Sequence, residues 1–535
     1  MSGGPIRLLS AFFTVGGWTM ASRVLGFARD IAIAATLGAG PVAQAFVIAF
    51  TLPNLFRRFL AEGAFNTAFV PMFSRRLEGE GPGAARAFAE EALAALTTLL
   101  VILTLAASLA MPWLVLALAS GFADDARFAL ATAMGEVAFP YILFISLTAL
   151  FSGVLNAVGR FAAAAAAPVL LNIVLIAALA LAESGALAGL APIGGEAMAD
   201  LAGIHHGTLL VWGVPLAGLA QLALVWRAAA RAGFALRLRR PRLTPALRRL
   251  AVVAFPAALA GGVVQVNLVV GRQVASYFDG AVAWLYMADR LYQLPLGVVG
   301  VAVGVVLLPA LARRLQAGDG PGGRHAVNRA AEFSLGLTLP AALALIVVPG
   351  PIVAVLFGRG AFGPQDVAET ALAVAIYGAG LPAFVLQKVY QPVFFAREDT
   401  ASPFRYALWA MVVNAAAAIG LAPLIGFSAA ALATTLAGWV NLALLWRGAR
   451  GLGDAARADD GFLHKLPRFA LASLVMAAAL LLAAWPLATP LALPFWRYPA
   501  LAALIAIGLA VYAAAVLAFG AFSRAELRAA LRRGG

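Results

Sequence analysis

From end to end the chain alternates long apolar runs with short polar turns, and the runs have the length of a bilayer. They lie near residues 8–37, 41–73, 87–119, 126–158, 163–183, 207–230, 247–277, 281–312, 328–357, 368–395, 402–424, 427–447, 465–487 and 498–522. That makes about fourteen segments, each long enough as a helix to cross roughly 30 Å of hydrocarbon. Lipid offers no partner to a backbone N–H or C=O, so runs of this kind predict helices. Composition agrees: the 535 residues are 63% hydrophobic and only 12% charged, against about 25% charged in soluble domains. A soluble core this apolar would lack the polar surface to cover it. The expected fold class is all-α, a polytopic membrane protein. The first run is too long for the apolar region of a signal peptide. Arg23 and Arg29 follow without a convincing cleavage site, so it reads as an uncleaved first helix.

Several function classes fall away. Cysteine is absent, which excludes disulfides and thiolate metal sites, and four histidines leave little for an imidazole centre. No metal and no cofactor are expected. His205 and His206 are expected in an outward loop. The only lysines, Lys388 and Lys465, follow Gln387 and His464, so no phosphate-cradling P-loop exists. The formal net charge of +14 sits mostly in alternate connections. "SRRLEGEGPGAARAF", "WRAAARAGFALRLRRPRLTPALRRL", "ARRLQAGDGPGGRHAVNR", "WRGARGLGDAARADDGFLHKLPR" and the C-terminal "SRAELRAALRRGG" are basic. "LGAGP", "SGFADDA" and "GRGAFGPQD" are poor in arginine and lysine. Basic loops stay on the cytoplasmic side, so both termini are expected in the cytoplasm. The charge therefore points to membrane topology, not to nucleic acid. For the loop at 227–249 a second reading is an amphipathic linker helix on the membrane surface.

An internal repeat organises the chain. "LPNLFRRFLAEGAFNTAFVPMFSRRL" (52–77) resembles "LPLGVVGVAVGVVLLPALARRL" (294–315), and "LNAVGRFAAAAAAPVLLN" (155–172) loosely matches "FFAREDTASPFRYALWAMVVN" (394–414). The offset is roughly 240 residues in both places, the scale of a six-helix half. The expected division is an N-lobe at 1–230, a basic cytoplasmic linker at 231–246, a C-lobe at 247–450, and two further helices with a cytoplasmic tail at 451–535. That is two six-helix lobes plus two C-terminal helices. The last two runs have almost no interior charge. They read either as lipid-facing helices or as an apolar groove for a long hydrocarbon tail.

Some charges cannot be explained by topology. Arg23 lies about fifteen residues, or some 22 Å, from either end of its run, beyond the reach of a snorkelling side chain. A charge at a helix centre costs about 2.5–3.5 kcal/mol on insertion scales. Arg29, Asp30, Arg57, Arg58, Asp289 and Arg290 are also embedded. Arg58 and Glu62 are spaced as a helical ion pair, and Asp30 and Asp289 could partner arginines on other helices. Even so, five arginines face three acids, and a purely structural network should come closer to neutral. The surplus favours an anion site in a hydrated cavity. Guanidinium forks suit phosphate oxygens, and Ser22, Asn54 and Gln44 could add neutral donors. Pro53, Pro140 and Pro295 are expected to interrupt their helices, with Gly16, Gly17 and Gly26 as further sites of bending. Glu136 is the remaining candidate for proton or sodium coupling, or else another acid balancing the arginines.

"SRVLGFARD", "LPNLFRRFLAEGAFNTAFVP", "YMADRLYQLPLGVVGVAVGVVLLPAL" and "FFAREDTASP" resemble the MurJ (MviN) family of lipid II flippases, in the multidrug/oligosaccharidyl-lipid/polysaccharide exporter superfamily. The resemblance runs over nearly the full chain. It implies a fourteen-helix inner-membrane protein that moves undecaprenyl-diphosphate-linked peptidoglycan precursor from the cytoplasmic to the periplasmic leaflet, with partners among the proteins of cell-wall synthesis. By position, the family's cavity arginines match Arg23, Arg29, Arg57 and Arg290. Ser22, Asp30 and Glu62 match family motif positions. The chain departs from the pattern at Gln44, where many members carry an acid before Ala-Phe, and this makes the expected cavity more positive.

The mechanism these features imply is alternating access, with the arginines holding the diphosphate. One alternative is a cation-coupled multidrug exporter, or another polyprenyl-diphosphate oligosaccharide exporter, of the same superfamily. A drug exporter should need an unpaired intramembrane acid, and the surplus here has the opposite sign. An enzyme acting on the same lipid should need paired carboxylates or a metal-binding acidic motif. "GLGDAARADDG" has acids but no supporting histidine, so no enzyme is expected.

Overall fold

The structure, a computed structural model, describes residues 5–57, 66–453 and 457–521. Each expected span is largely helical over its described residues, and no strand occurs among the described residues. In chain order the helices are α1 Pro5–Leu37, α2 Pro41–Arg57, α3 Asn66–Gly79, α4 Pro82–Leu109, α5 Met111–Ala119, α6 Ala126–Ala138, α7 Tyr141–Ala157, α8 Ala162–Glu183 and α9 Ile204–Arg231. There follow α10 Pro245–Ala275, α11 Ala281–Gln316, α12 Gly320–Val347, α13 Pro349–Leu356, α14 Pro364–Phe395, α15 Ala401–Ile425, α16 Ser428–Arg450, α17 Asp460–Ala492 and α18 Arg497–Ala518. Among the described residues, ten segments are long and apolar enough to cross a membrane, counting α6 and α7 as one. Of the remaining expected spans, α1, α2 and α11 carry the embedded charges.

Proline chemistry explains the breaks. The run at 87–119 divides into α4 and α5 where Pro112 follows Met111, 126–158 divides at Pro140, and 328–357 divides at Pro349. Proline has no N–H to donate and disfavours helix in the residue before it. At two expected breaks the outcome differs. α2 continues through Pro53, and α11 runs unbroken through Pro295 and Pro309. One lost hydrogen bond is tolerated there because the flanking turns remain paired. Other helix starts are capped by side chains, as apolar surroundings require. Thr244 Oγ1 accepts from Leu247 N–H at 3.3 Å, Asp319 Oδ1 from Gly322 N–H at 2.8 Å, and Asp459 Oδ1 from Phe462 N–H at 2.7 Å.

The chain divides into two compact units, Met1–Ala283 with Gly360–Phe362, and Trp284–Arg359 with Gly363–Gly535. In the first, α8 packs against α1 and α9, α9 against α7, and α4 against α7. In the second, α16 packs against α15 and α14, and α14 against α12. The pairs correspond along the sequence: α8 with α9, α7 with α9 and α4 with α7 in the first unit parallel α15 with α16, α14 with α16 and α12 with α14 in the second. α17 adds to the second unit through α12 and α18. Met476, Leu480, Leu501 and Leu504 are buried there against Val348 and Val355. On the outer side of the same pair, Leu482, Trp485 and Leu509 are exposed.

The connection between α9 and α10 is not an amphipathic helix. From residue 234 to 244 it has no helix, strand or turn. Phe234 and Leu236 are buried while Ala235 and Arg237 are exposed, the period-2 alternation of an extended chain. Glu90 of α4, almost fully buried, accepts from Arg237 N–H at 3.2 Å and pairs with Arg239 Nε at 2.5 Å. Thr244 Oγ1 donates to Glu91 Oε2 at 2.8 Å. Its inner face is thus fastened to α4, and its outer arginines remain free to lie at a headgroup surface.

Within the first unit, residues 360–362 sit against the turn between α1 and α2. Ala361 N–H donates to Ala35 C=O at 2.8 Å. Gly38 and Gly360 adopt φ of 60° and 57°, and a Cβ on either would collide with a backbone carbonyl, that of Ala361 or Ala35. The left-handed conformation alone costs an L-residue about 1–2 kcal/mol. Gly38→Ala and Gly360→Ala should each lower the thermal midpoint of the purified chain by several degrees. Gly17→Ala, which meets nothing within 4 Å, should leave it unchanged or raise it.

Candidate functional site

The embedded charges of the first unit have distinct surroundings. Arg29 and Asp30 are both buried, at 6% and 2% exposure. Asp30 pairs with its sequence neighbour. Arg29 Nε and Nη2 both approach Asp30 Oδ1, at 3.0 and 2.6 Å. A flexible arginine stem can curl back to reach an adjacent carboxylate, and burial makes that pairing worthwhile. The fork is held from α8: Arg29 Nη1 donates to Asn172 Oδ1 at 3.0 Å, and Asn172 Nδ2 donates to the carbonyl of Ser22 at 2.9 Å. Ser22 therefore contributes its backbone here. Arg29 also lies 5.9 Å from the Phe50 ring centroid.

Arg23 is exposed on α1. Six residues turn a helix by about 240° net, so it points well away from Arg29. Asn54 is half-buried and donates to its own helix, to Phe50 C=O at 2.7 Å. Arg57, at the end of α2, lines a cavity of about 360 Å³. Its other walls are Val15 of α1, Ile145, Thr148, Ala149, Ser152 and Asn156 of α7, Phe161 and the alanines and Pro168 of α8, and Gln221 of α9. Among these lining residues Arg57 carries the charge, and no carboxylate is present. Gln221 is fixed by Tyr141 Oη, which donates to its Oε1 at 3.2 Å, and by its own donation to Ala167 C=O at 2.8 Å. Thr148 is buried, and its Oγ1 has no hydrogen-bond partner among the described residues. Arg58 and Glu62 lie outside the described residues.

Gln44 is fully buried in a different cluster. Its Nε2 donates to Asp279 Oδ1 at 2.9 Å and to Ala39 C=O at 3.2 Å, and its Oε1 accepts from Arg127 Nη1 at 3.1 Å. Arg127 in turn pairs with Asp125 at 2.5 Å and sits 4.4 Å from the Phe122 ring centroid. Two acids already share one arginine here. An acid at position 44 would add a third, whereas the amide donates to one neighbour and accepts from another. Gln44 is thus a neutral link in an acid-rich cluster and is not a wall of the Arg57 cavity. The same end of the unit is stitched further: Gly121 N–H donates to Ser276 Oγ at 3.0 Å, and Ser120 N–H to Gln273 Oε1 at 2.9 Å.

Glu136 is exposed on α6 and makes no hydrogen bond or ion pair among the described residues. His205 and His206 lie in the first turn of α9, not in a loop, and His206 Nε2 is 3.0 Å from Glu183 Oε2. Among the described residues no group of histidines and acids could hold a metal. In the second unit, Arg290 Nη2 donates to Tyr286 Oη at 2.8 Å, with the guanidinium 4.5 Å from that ring's centroid. Gln293 donates to Asp289 one turn on.

Sequence reasoning missed Asn172, Arg127, Asp125, Asp279 and the polar wall of α7. Asn172 did leave a signal, as a lone amide in the apolar run "PVLLNIV". Asn414, its counterpart in the weaker repeat, is likewise fully buried mid-helix.

The profile of the family described as lipid II flippase MurJ matches residues 33–506, beginning just after Arg29 and Asp30. A probable lipid II flippase MurJ of Rhizobium meliloti (strain 1021) is 47% identical, over 99% of this chain and 97% of that one. Among solved structures, a lipid II flippase MurJ in an inward closed conformation superposes with a TM-score of 0.75 at 22% identity, covering 94% of this chain and 97% of the other. An inward-facing multidrug resistance MATE family transporter of the MOP superfamily reaches 0.65 at 15% identity, over 81% and 95% of the two chains. These two likenesses concern the fold. The family match and the near full-length identity go further: this multi-pass membrane chain belongs to the lipid II flippase MurJ family.

Proposed function

We propose that the chain flips lipid II, an undecaprenyl-diphosphate-linked peptidoglycan precursor, from the cytoplasmic to the periplasmic leaflet of the inner membrane by alternating access. The observation that carries this reading is the presence of arginines inside long apolar helices of a chain that matches a family relative over 97% of that relative's length. A diphosphate is the anion such groups suit, because guanidinium forks bind phosphate oxygens bidentately. Arg23, Arg57 and Arg290 are assigned to the phosphates directly. Arg29, neutralised by Asp30 and oriented by Asn172, is assigned to shaping α1 beside them as well as to binding. Ser22 and Asn54 are weaker candidates as donors, since the described bonds use the carbonyl of one and commit the amide of the other to its own helix. The prenyl chain stays in lipid, along the exposed apolar face of α17 and α18. No bond is made or broken, so the chain acts as a transporter and not as an enzyme. Its partners are proteins of cell-wall synthesis, which consume the lipid on the far side.

Losing one charge-assisted contact costs about 1.5–3 kcal/mol, or roughly 10- to 100-fold. Arg23→Ala, Arg57→Ala and Arg290→Ala should each slow flipping of labelled lipid II in proteoliposomes by at least that lower factor. If all three run at the native rate, the assignment of the phosphates to these arginines is wrong. Energy coupling is assigned to Glu136, and Glu136→Gln should abolish the dependence of flipping on an imposed ion gradient. An unchanged gradient response removes Glu136 from that role.

Both termini and the basic connections are assigned to the cytoplasm. The chain has no native cysteine, so single cysteines report topology cleanly. In intact cells stripped of the outer membrane, Gly189→Cys should react with a membrane-impermeant maleimide, and Ala235→Cys should react only after permeabilisation. The reverse pattern would invert the orientation.

A further inference from the structure

We infer that the turn between α17 and α18, together with the end of α13, binds the phosphate of an anionic phospholipid through Arg359 and Arg497. The inference concerns how the second unit meets the surrounding lipid and does not rest on the flippase reading. Basic residues hold connections on the cytoplasmic side, and the opposite connections of this chain are poor in them. Arg359, after α13, and Arg497, at the start of α18, both fall on that poor side in the topology assigned above, so they need a local reason. They meet at one place. Arg497 Nη1 donates to Gly358 C=O at 3.1 Å, and Arg359 Nη2 donates to the carbonyls of Val355 and Leu356 at 2.8 and 2.7 Å. The guanidinium carbons of Arg497 and Arg359 lie 5.2 and 5.8 Å from the centroid of the same ring, that of Tyr498. Neither arginine pairs with a carboxylate among the described residues. Asp366, at the start of the next helix, is committed to Trp284 Nε1 and Gly363 N–H.

Part of this arrangement is structural, because the arginines cap the last carbonyls of α13. Magnitude separates that role from a second one. The C-terminal end of a helix carries about half a negative charge, and two guanidiniums bring two positive ones. The surplus has no counter-ion among the described residues, at a turn between two membrane-length helices, where a bilayer places its phosphates. Both arginines are half-buried and keep a nitrogen in reserve. Nη1 of Arg359 is not buried and makes no hydrogen bond among the described residues, and Nη2 of Arg497 has only Tyr498 Oη, at 3.5 Å. Two such forks suit the oxygens of a phosphodiester. The rim fits a lipid better than a soluble anion. Phe495 and Trp496 of the turn and Trp485 of α17 are largely exposed, and tryptophan and tyrosine favour the headgroup layer. Trp485 continues the exposed face that carries Leu482, so acyl chains find an apolar wall beneath the phosphate.

The test reads relative lipid affinity at this one turn. The chain has no cysteine, so Ala492→Cys places a unique thiol at the exposed end of α17. A fluorophore there is quenched by adjacent lipids that carry a nitroxide near the headgroup. With the whole chain in phosphatidylcholine nanodiscs, quenching by nitroxide-labelled phosphatidylglycerol is compared with quenching by nitroxide-labelled phosphatidylcholine. Phosphatidylglycerol should be preferred by about fivefold, the factor that roughly 1 kcal/mol represents for a basic residue at an anionic headgroup. Arg359→Gln and Arg497→Gln should each reduce the preference, and the double variant should abolish it. A thermal melt shows which variants are folded, and the single ones report where the double one is not. Absence of a preference in the wild type overturns the site without any substitution, and so does a preference that folded variants retain in full. Loss of the preference on adding excess inorganic phosphate overturns lipid docking in favour of a free anion. Undecaprenyl phosphate that displaces phosphatidylglycerol at a small fraction of its amount reassigns the site to the cargo and overturns it as a phospholipid site.

Discussion

A charge kept inside a hydrocarbon slab must bring its counter-charge or find water, and the first unit does the former on one helix. Arg29 brings Asp30 and recruits Asn172 from α8, so the buried guanidinium has a partner for its charge and for part of its hydrogen-bonding fork. Asn172 spends its remaining donor on the carbonyl of Ser22 and so ties the middle of α1 to the middle of α8. In an interior where polar groups find few alternatives, such a node fixes the register of two helices that apolar packing alone would let slide. With α1 held, the cavity bounded by Val15 on one side and Arg57 on the other keeps its shape. The binding chemistry proposed here depends on that rigidity, since phosphate recognition by a guanidinium is a matter of angle as well as charge.

Position 44 illustrates how the same constraint shapes a departure from the family. Where the family resemblance leads one to expect an acid, this chain places glutamine between Arg127 and Asp279. The amide satisfies an arginine on one side and a carboxylate on the other, which a carboxylate could not do. Charge in this cluster is set by the ensemble of Asp125, Arg127 and Asp279, and the residue at 44 is chosen to complete it. The packing order shared by the two units follows the same logic at larger scale: a duplicated helix arrangement keeps its contacts because each lipid-buried backbone must stay within its own helix.

Much of this was legible in the sequence because bilayer thickness imposes a length on every crossing. Run length and the Pro-containing breaks gave the helices, with errors only where proline is ambiguous. Pro140 and Pro295 look alike on paper, yet one ends a helix and the other does not, because the surroundings decide whether a missing N–H is tolerated. The embedded arginines were visible as anomalies. Their partners were not, since Asn172 lies 143 residues from Arg29 and Asp279 lies 235 residues from Gln44. Periodicity carries no information about pairings over such separations. The pairing of Asp30 with the adjacent Arg29 was equally hidden, because helical geometry points neighbouring side chains apart.

The Arg29–Asp30 pair has an electrical consequence. A transmembrane voltage does work on net charge, about 2.3 kcal/mol per elementary charge per 100 mV. A guanidinium and a carboxylate held 2.6 Å apart move through that field as a dipole with no net charge. A translation of the pair along the membrane normal therefore displaces no net charge. Sensitivity of a translation to voltage therefore falls to other ionised groups, with Arg23 on a different face of the same helix foremost, and to the anionic cargo itself.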